Sequence, residues 1–326
     1  MTIPILYKLL AIMATVALGW LAARQGWLGR LAGPGGQGND PARVLSNAAF
    51  YLFVPALLLR TMVRQDLAAL PWRTLAAYFV PAVLFTLAVY RWYGRRDAAA
   101  LAAPATRSVA AVYGNSVQMG IPVAAALFGE AGLALHISLV SMHGVVLLTL
   151  LTVLVEADLA RGHVSATRAD TVRTTLRNAV IHPVVLPVLA GLAWNLSGLG
   201  LHPVLDQTLL GLASAAVPLC LVLIGASLAT TGVRSGLPGA LGVSVLKLLV
   251  LPALVMAVAR LGFGLAGMPL AVLVMMAALP VGSNALIFAQ RYGALEAEAA
   301  LAIVVSTLAF VATAALWLAV LARWGG

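Results

Sequence analysis

Two clusters of glycine, proline and small polar residues interrupt apolar stretches of the sequence, one in each half of the chain. The first spans Tyr113–Pro122 (YGNSVQMGIP) and the second spans Leu279–Ala285 (LPVGSNA). Glycine and proline break helices, and asparagine and serine offer neutral hydrogen-bonding groups at the break. In a membrane, such a break is tolerated only where it is buried in protein or lines a wet cavity. The clusters therefore predict a binding site built from two broken membrane helices.

The candidate binding residues are the polar and helix-breaking members of these clusters, together with one histidine. A half-helix that begins near Pro122 would direct its N-terminal amides and positive dipole end into the membrane centre, which favours an anion. The second cluster repeats this chemistry. The alternative is that each cluster is a packed helix kink. The predicted substrate-binding residues are Asn115, Ser116, Gly120, Pro122, His143, Pro280, Gly282, Ser283 and Asn284.

Two basic residues inside apolar segments are candidates for a charge role. Lys247 lies near the middle of its segment, and Arg60 lies in the last third of its own. An intramembrane cation is costly and is a functional candidate by default. Arg60 could instead snorkel to the nearer interface, and Lys247 could attract a substrate anion or bond a carbonyl freed by a helix break. The 10 acidic residues map to linkers or segment ends, so no carboxylate relay for protons is expected.

The composition indicates an integral membrane protein. Of the 326 residues, 62% are hydrophobic and only 9% are charged, whereas soluble domains carry roughly 25% charged residues. The net charge of +10 is spread over short loops, as membrane topology demands, and does not indicate nucleic-acid binding. Hydrolase, zinc, redox and P-loop motifs do not occur, so the sequence predicts neither an enzyme nor a bound cofactor or metal.

Ten apolar segments are each long enough to span a bilayer, which requires about 20 largely apolar residues. A charged linker at 157–173 separates two halves, 1–156 and 174–326, that look related because the two clusters interrupt segments four and nine. Five spans per half would insert the second copy upside down. The sequence therefore predicts an all-α membrane fold of ten helices in two inverted five-helix repeats. The segments cover residues 4–23, 44–63, 71–92, 106–128, 131–156, 174–195, 204–230, 236–262, 268–290 and 297–323.

Arginine distribution predicts the orientation in the membrane. The linkers after segments one, three, five, seven and nine carry most of the arginines, and the opposite face carries little beyond Arg64, Arg73, Arg260 and Arg323. The positive-inside rule assigns the first set to the cytoplasm. Both termini of this multi-pass inner-membrane protein would then be periplasmic.

At the two helix-breaking clusters and at several flanking stretches, the chain resembles the auxin efflux carrier family, which includes plant carriers and bacterial permeases. The resemblance implies a fold shared with sodium/bile-acid symporters, in which segments four and nine unwind and cross at the substrate. It also implies that Asn115 helps to hold a substrate carboxylate and that His143 replaces a polar residue midway down segment five. The plant carriers have a proline at the segment-nine crossing where this chain reads Asn284-Ala285, with Pro280 one turn earlier. The matching stretches are Phe53–Leu58, Gly114–Ser116, Met119–Pro122, Gly129–Glu130, Leu279–Ala285 and Phe288–Gly293.

These observations and the resemblance predict a secondary carrier of small organic anions that alternates access between a scaffold and a crossing-helix domain. The resemblance implies substrates such as malate, malonate or auxin-like acids. One alternative is a sodium-coupled symporter of the bile-acid type, and another is a membrane receptor that transports nothing. Sodium would bind unwound carbonyls and the oxygens of Asn115, Ser116, Ser283 and Asn284. Because no carboxylate accompanies them, uniport is favoured. The expected partners are the carboxylate substrate and the lipid bilayer, and a homodimer and the direction of transport are left open.

Overall fold

The computed structural model describes residues 3–27, 41–65, 70–96, 101–161, 173, 177, 180, 181, 183, 185–231 and 236–324. Within these residues the regular structure is helical, apart from one isolated β-bridge, which confirms the predicted all-α class. Six of the described helical stretches are long and apolar enough to cross a membrane. Shorter apolar helices accompany them, and two of the predicted spans are each divided into two helices.

The first half of the described chain contains six helices. The fifth begins with a π-helical turn at Ser116–Gly120, and Gly129 separates it from the sixth because its backbone lies at φ +63°. That conformation is accessible to glycine and strained for other residues. The helices are α1 (Ile3–Arg24), α2 (41–63), α3 (Trp72–Arg96), α4 (Ala103–Val112), α5 (116–128) and α6 (130–161).

The second half of the described chain contains six further helices. The eleventh ends at Gly293, whose left-handed conformation (φ +61°) closes the helix as helix C-termini commonly require. The helices are α7 (Val185–Leu196), α8 (Pro203–Thr231), α9 (237–262), α10 (Gly267–Ala278), α11 (Asn284–Tyr292) and α12 (Glu296–Trp324).

The predicted segments agree with these helices to within a few residues wherever the structure describes them. Segment four is split into α4 and α5, and segment nine is split into α10 and α11, as the two clusters predict. Segment six is described mainly in its C-terminal half, as α7. Most of the 157–173 linker lies outside the described residues, so the division into two inverted repeats stays a prediction.

The helices pack in two groups, which meet at the broken helices. The flanking group consists of α1, α2, α7 and α8, in which α1 packs along α8 and α2 packs against both α7 and α8. The crossing group consists of α3–α6 and α9–α12, in which α3 packs on α4, α9 on α10 and α12, and α11 on α4 and α12. The cavity described below lies between the two groups.

Glycines allow the flanking helices to approach one another closely. A Cβ atom on Gly225 of α8 would lie 1.9 Å from the Val16 carbonyl oxygen of α1, and one on Gly191 of α7 would lie 2.8 Å from the Leu59 carbonyl oxygen of α2. Neither distance is possible between real atoms. Small residues at such contacts let backbones touch, which drives helix association in lipid. The glycines therefore make the flanking group tightly packed.

An ion pair ties together the ends of two helices in the crossing group. Arg107 of α4 donates two hydrogen bonds to the Glu298 carboxylate at the start of α12, at 2.7 and 2.9 Å. Its guanidinium also lies over the Tyr93 ring, 4.7 Å from the centroid. A Cβ on Gly239 of α9 would overlap the Glu298 carboxylate. The pair thus connects α3, α4, α9 and α12 at one end of the bundle.

We expect Gly225→Ala to destabilise the protein, because the added methyl group overlaps the α1 backbone. Overpacking of this kind typically costs about 1–3 kcal/mol. Gly211→Ala in the same helix is the matched control, since no atom lies within 4 Å of the added Cβ and alanine is the better helix former. Thermal unfolding in detergent checks both variants. Equal melting temperatures for the two variants would contradict the close α1–α8 packing.

Candidate functional site

The two helix breaks face each other at the centre of the crossing group. Helix α4 ends at Val112 and α5 begins at Ser116, while α10 ends at Ala278 and α11 begins at Asn284. The intervening residues leave the helical conformation, and both stretches are almost entirely buried. Each break therefore exposes backbone groups that must find partners inside the protein.

The breaks satisfy each other through a reciprocal pair of backbone hydrogen bonds. The N–H of Asn115 donates to the Pro280 carbonyl at 2.8 Å, and the N–H of Gly282 donates to the Tyr113 carbonyl at 2.9 Å. Together they form a single antiparallel β-bridge between the two segments. The two segments therefore cross, as the family resemblance implied, and each break supplies one donor and one acceptor to the other.

Glycine is required on one side of this bridge. A Cβ on Gly282 would lie 2.8 Å from the Gly114 carbonyl oxygen and 3.2 Å from the Tyr113 ring. The Gly114 carbonyl is fixed because it also accepts the Ser116 N–H at 2.8 Å. The absence of a side chain at Gly282 is thus what lets the two backbones come together.

Helix α5 starts at the crossing itself. Its α-helical part begins at Ile121, next to Pro122 as expected, but a π-helical turn extends it back to Ser116. The carbonyl of Asn115 accepts the N–H groups of Met119 (3.3 Å) and Gly120 (3.1 Å) in this turn. The helix N-terminus therefore lies beside Asn115 and Ser116 rather than one turn away.

A cavity of about 70 Å³ lies between the crossing and the flanking group. It has a polar wall from the crossing and an apolar wall from α2 and α8. Its volume is well below the roughly 300–1,000 Å³ of ordinary ligand sites, so an organic ligand would require the walls to separate. The polar wall includes Tyr113, Asn115, Ser116, Ser283 and Asn284, and the apolar wall includes Val54, Leu57, Leu58, Ala216 and Cys220.

The polar wall has the electrostatics of an anion site. The N-terminal ends of α5 and α11 both border the cavity, at Ser116 and Asn284. Helix N-termini carry unpaired N–H groups and a positive dipole end. Among the described residues that line the cavity there is no carboxylate. The wall can therefore donate hydrogen bonds to an anion without repelling it.

Side-chain contacts connect the wall residues to one another. Tyr113 interacts with Asn284 across the crossing, and Cys220 of the flanking group interacts with Ser283. Cys220 is the only cysteine in the sequence and is buried. It lies where the two helix groups meet, so its accessibility reports on their separation.

His143 lies behind the polar wall rather than in it. Its ring stacks on Tyr113 with the centroids 4.3 Å apart, and its Nε2 lies 3.4 Å from the Tyr78 hydroxyl. The side chain is fully buried, and its Nδ1 atom makes no hydrogen bond within the described structure. The histidine predicted from segment five thus contacts the broken helix through Tyr113.

Lys247 reaches the crossing from α9. Its side chain is fully buried and donates a hydrogen bond to the Ala277 carbonyl in the last turn of α10. A Cβ on Gly114 would lie 3.3 Å from its Nζ atom. The sequence offered two roles for Lys247, attraction of a substrate anion or a bond to a carbonyl freed by a helix break. The structure contains the bond to the carbonyl. The amino group of Lys247 therefore lies close to both breaks.

Three further predicted residues, Arg60, Gly120 and Pro280, are not among the described residues that line the cavity. Arg60 pairs with Asp206 of α8 at 2.9 Å, so its guanidinium has a carboxylate partner within the flanking group. Gly120 packs under His136, because a Cβ there would lie 2.4 Å from the imidazole. Pro280 contributes its carbonyl to the bridge. The side chain of Pro122 lies outside the described part of the structure.

The sequence did not predict the roles of Tyr113 and His136. Tyr113 lines the cavity and stacks on His143, although the sequence marked it only as the first residue of a cluster. His136 is buried, and its Nε2 lies 2.8 Å from the Ser116 carbonyl oxygen. Segment boundaries alone put it near a helix end, where no partner was evident. A buried histidine in an apolar helix was the available signal.

Comparisons with known proteins show that the chain is similar to membrane transport proteins. A family model described as membrane transport protein matches residues 4–318. A protein from Methanothermobacter thermautotrophicus, described as an uncharacterized transporter, is 27% identical over 248 residues, which is 74% of each chain. The family match covers both helix breaks and all the cavity-lining residues.

We expect Gly282→Ala to separate the two breaks, because its methyl group would collide with the Gly114 carbonyl. The cost should be about 1–3 kcal/mol of stability, and Cys220 should react faster with N-ethylmaleimide as the cavity loosens. Gly262→Ala is the control, since its nearest new contact is an ordinary 3.8 Å. Wild-type melting temperature and alkylation rate in Gly282→Ala would show that the crossing tolerates a side chain.

Proposed function

We propose that this protein, which belongs to the membrane transport protein family, that is, the auxin efflux carrier family, is a secondary carrier of small organic anions. The observation that carries the proposal is the convergence of two helix N-termini on one cavity at the crossing of two broken helices. Transporters use such half-helix ends to hold anionic substrate groups near the middle of the membrane.

The two unlike walls favour a substrate with one carboxylate and an apolar body. The carboxylate would accept hydrogen bonds from Asn115, Ser116 and Asn284, while the body would contact Leu57 and Leu58 of α2. A second carboxylate would face the apolar wall without a partner, and burying an unpaired charge is costly. Auxin-like acids therefore fit the site better than malate or malonate.

The different origins of the two cavity walls support transport by alternating access. The polar wall belongs to the crossing group and the apolar wall to the flanking group. Movement of one group against the other would open the cavity to either face while the crossing stays intact. The tight glycine contacts between α1 and α8 and between α2 and α7 support a rigid flanking group.

Several paired features support ten spans in two inverted repeats. The bridge hydrogen bonds are reciprocal, with Asn115 to Pro280 matched by Gly282 to Tyr113. Both broken segments end at a glycine with positive φ, Gly129 and Gly293. The arginine asymmetry then orients both termini to the periplasm of the inner membrane. A cytoplasmic signal from a reporter fused to the C-terminus would contradict this orientation.

We expect Asn115→Ala and Asn284→Ala to weaken substrate binding, because a hydrogen bond to a charged group contributes about 1.5–3 kcal/mol. The affinity should fall roughly tenfold to a hundredfold. The measurement is protection of Cys220 from N-ethylmaleimide by indole-3-acetate, with malonate as the dicarboxylate comparison and Cys220→Ser as the labelling blank. Asn47→Ala, at an exposed amide of α2, is the matched control. Full transport by the double mutant would assign both asparagines to packing.

We expect flux to follow the membrane potential alone, because the described cavity lining contains no carboxylate to bind sodium or relay protons. The potential contributes about 2.3 kcal/mol per charge per 100 mV. Substrate flux in proteoliposomes with potential, sodium and pH gradients imposed singly checks this. Accumulation driven by sodium at zero potential would favour the bile-acid type of symport. A pH-driven flux that disappears in His143→Gln would make that histidine a proton relay, and an absence of all flux would favour a receptor.

A further inference from the structure

The break between α10 and α11 combines a proline, Pro280, with a hydrogen bond to a residue of another helix. In a continuous helix the N–H of Val281 would donate to the carbonyl of Ala277, four residues earlier. Here the Val281 N–H donates instead to the hydroxyl of Ser306 in α12, at 2.9 Å. Pro280, which has no N–H, cannot donate to Met276 either. The helix thus loses three successive hydrogen bonds. Pro280 has no N–H to donate, the Val281 N–H is diverted to α12, and the Gly282 N–H is diverted to the Tyr113 carbonyl.

Ser306 is well suited to this diversion. Its side chain is fully buried, and its hydroxyl donates to the Ile303 carbonyl at 3.2 Å while accepting from Val281. A hydroxyl can donate and accept at the same time, whereas an aliphatic side chain can do neither. The position therefore uses both properties of the serine.

Lys247 satisfies the carbonyl that this diversion releases. The Ala277 oxygen, deprived of the Val281 N–H, accepts a hydrogen bond from the Lys247 ammonium. A buried carbonyl without a donor would be costly, and a buried ammonium also requires an acceptor. Ser306 and Lys247 thus bond the N–H and the carbonyl that would pair with each other in a continuous helix.

We propose that Ser306 and Lys247 are positioning residues that together keep segment nine broken and hold Ser283 and Asn284 against the cavity. The effect on the site is indirect, because neither residue lines the described cavity. The transport consequence rests on the proposed carrier function, whereas the effect on the break does not.

The first test compares Ser306→Thr with Ser306→Val. These side chains have nearly the same volume and differ in the hydroxyl, so any packing cost in the buried site is common to both. We expect Ser306→Thr to keep a near wild-type rate of Cys220 alkylation by N-ethylmaleimide without substrate. Ser306→Val should alter that rate about tenfold or more, as expected for a lost hydrogen bond to a charged or buried group. Equal rates in the two variants would overturn the proposal.

The second test is a double-mutant cycle with Ser306→Ala and Lys247→Met. Without Ser306, the Val281 N–H can return to Ala277, so the lysine is no longer needed there. Lys247→Met should therefore change the Cys220 alkylation rate and the melting temperature strongly in the wild type and several-fold less in Ser306→Ala. Additive effects would show that the two residues act separately and would refute the proposal.

Transport measurements separate this inference from the carrier function. If indole-3-acetate is carried, Ser306→Val should raise its KM about tenfold, and Ser306→Thr should restore it. If the wild-type protein neither carries nor binds an organic acid, the carrier proposal fails. The alkylation cycle, which needs no substrate, still decides whether Ser306 and Lys247 hold the break.

Discussion

The structure depends on one constraint, which is that backbone groups freed inside a membrane must be paired within the protein. Two helices are interrupted at the same depth, and each interruption is satisfied by the other through the Asn115–Pro280 and Gly282–Tyr113 hydrogen bonds. Neither break would be tolerable alone. The crossing is therefore a single structural unit to which both halves of the chain contribute, and the polar cavity wall is its by-product.

The sequence predicted the positions of the breaks because glycine, proline, serine and asparagine have few other reasons to cluster inside apolar segments. It predicted the helices for the same reason, since long apolar runs have only one stable form in lipid. It did not predict which side of each break faces the cavity. Gly120 and Asn115 lie in one cluster, yet Gly120 packs under His136 and Asn115 lines the cavity. A π-helical turn between them changes the facing of every later residue, and spacing does not reveal such a turn.

The sequence also did not predict which polar residues on distant helices pair with one another. Ser306 lies in an ordinary apolar stretch, and its importance comes only from its contact with Val281. In the sequence Arg60 has no evident partner, whereas in the structure it is paired with Asp206, which lies 146 residues away. Apolar patterning indicates that a helix exists, but the pairing of single polar residues between helices is determined by packing.

The separate origin of the two cavity walls has a consequence for natural variation in this protein. In the proposed cycle the polar wall would move as part of one body and keep the same hydrogen-bonding groups on the ligand, so changes there would alter how tightly every state binds. The apolar wall of α2 and α8 belongs to the flanking group and would meet the ligand only in some states of that cycle. Substitutions at Leu57 or Leu58 would therefore act mainly on the relative energies of those states and on turnover. Ligand preference and transport speed can thus evolve on different helices of one chain.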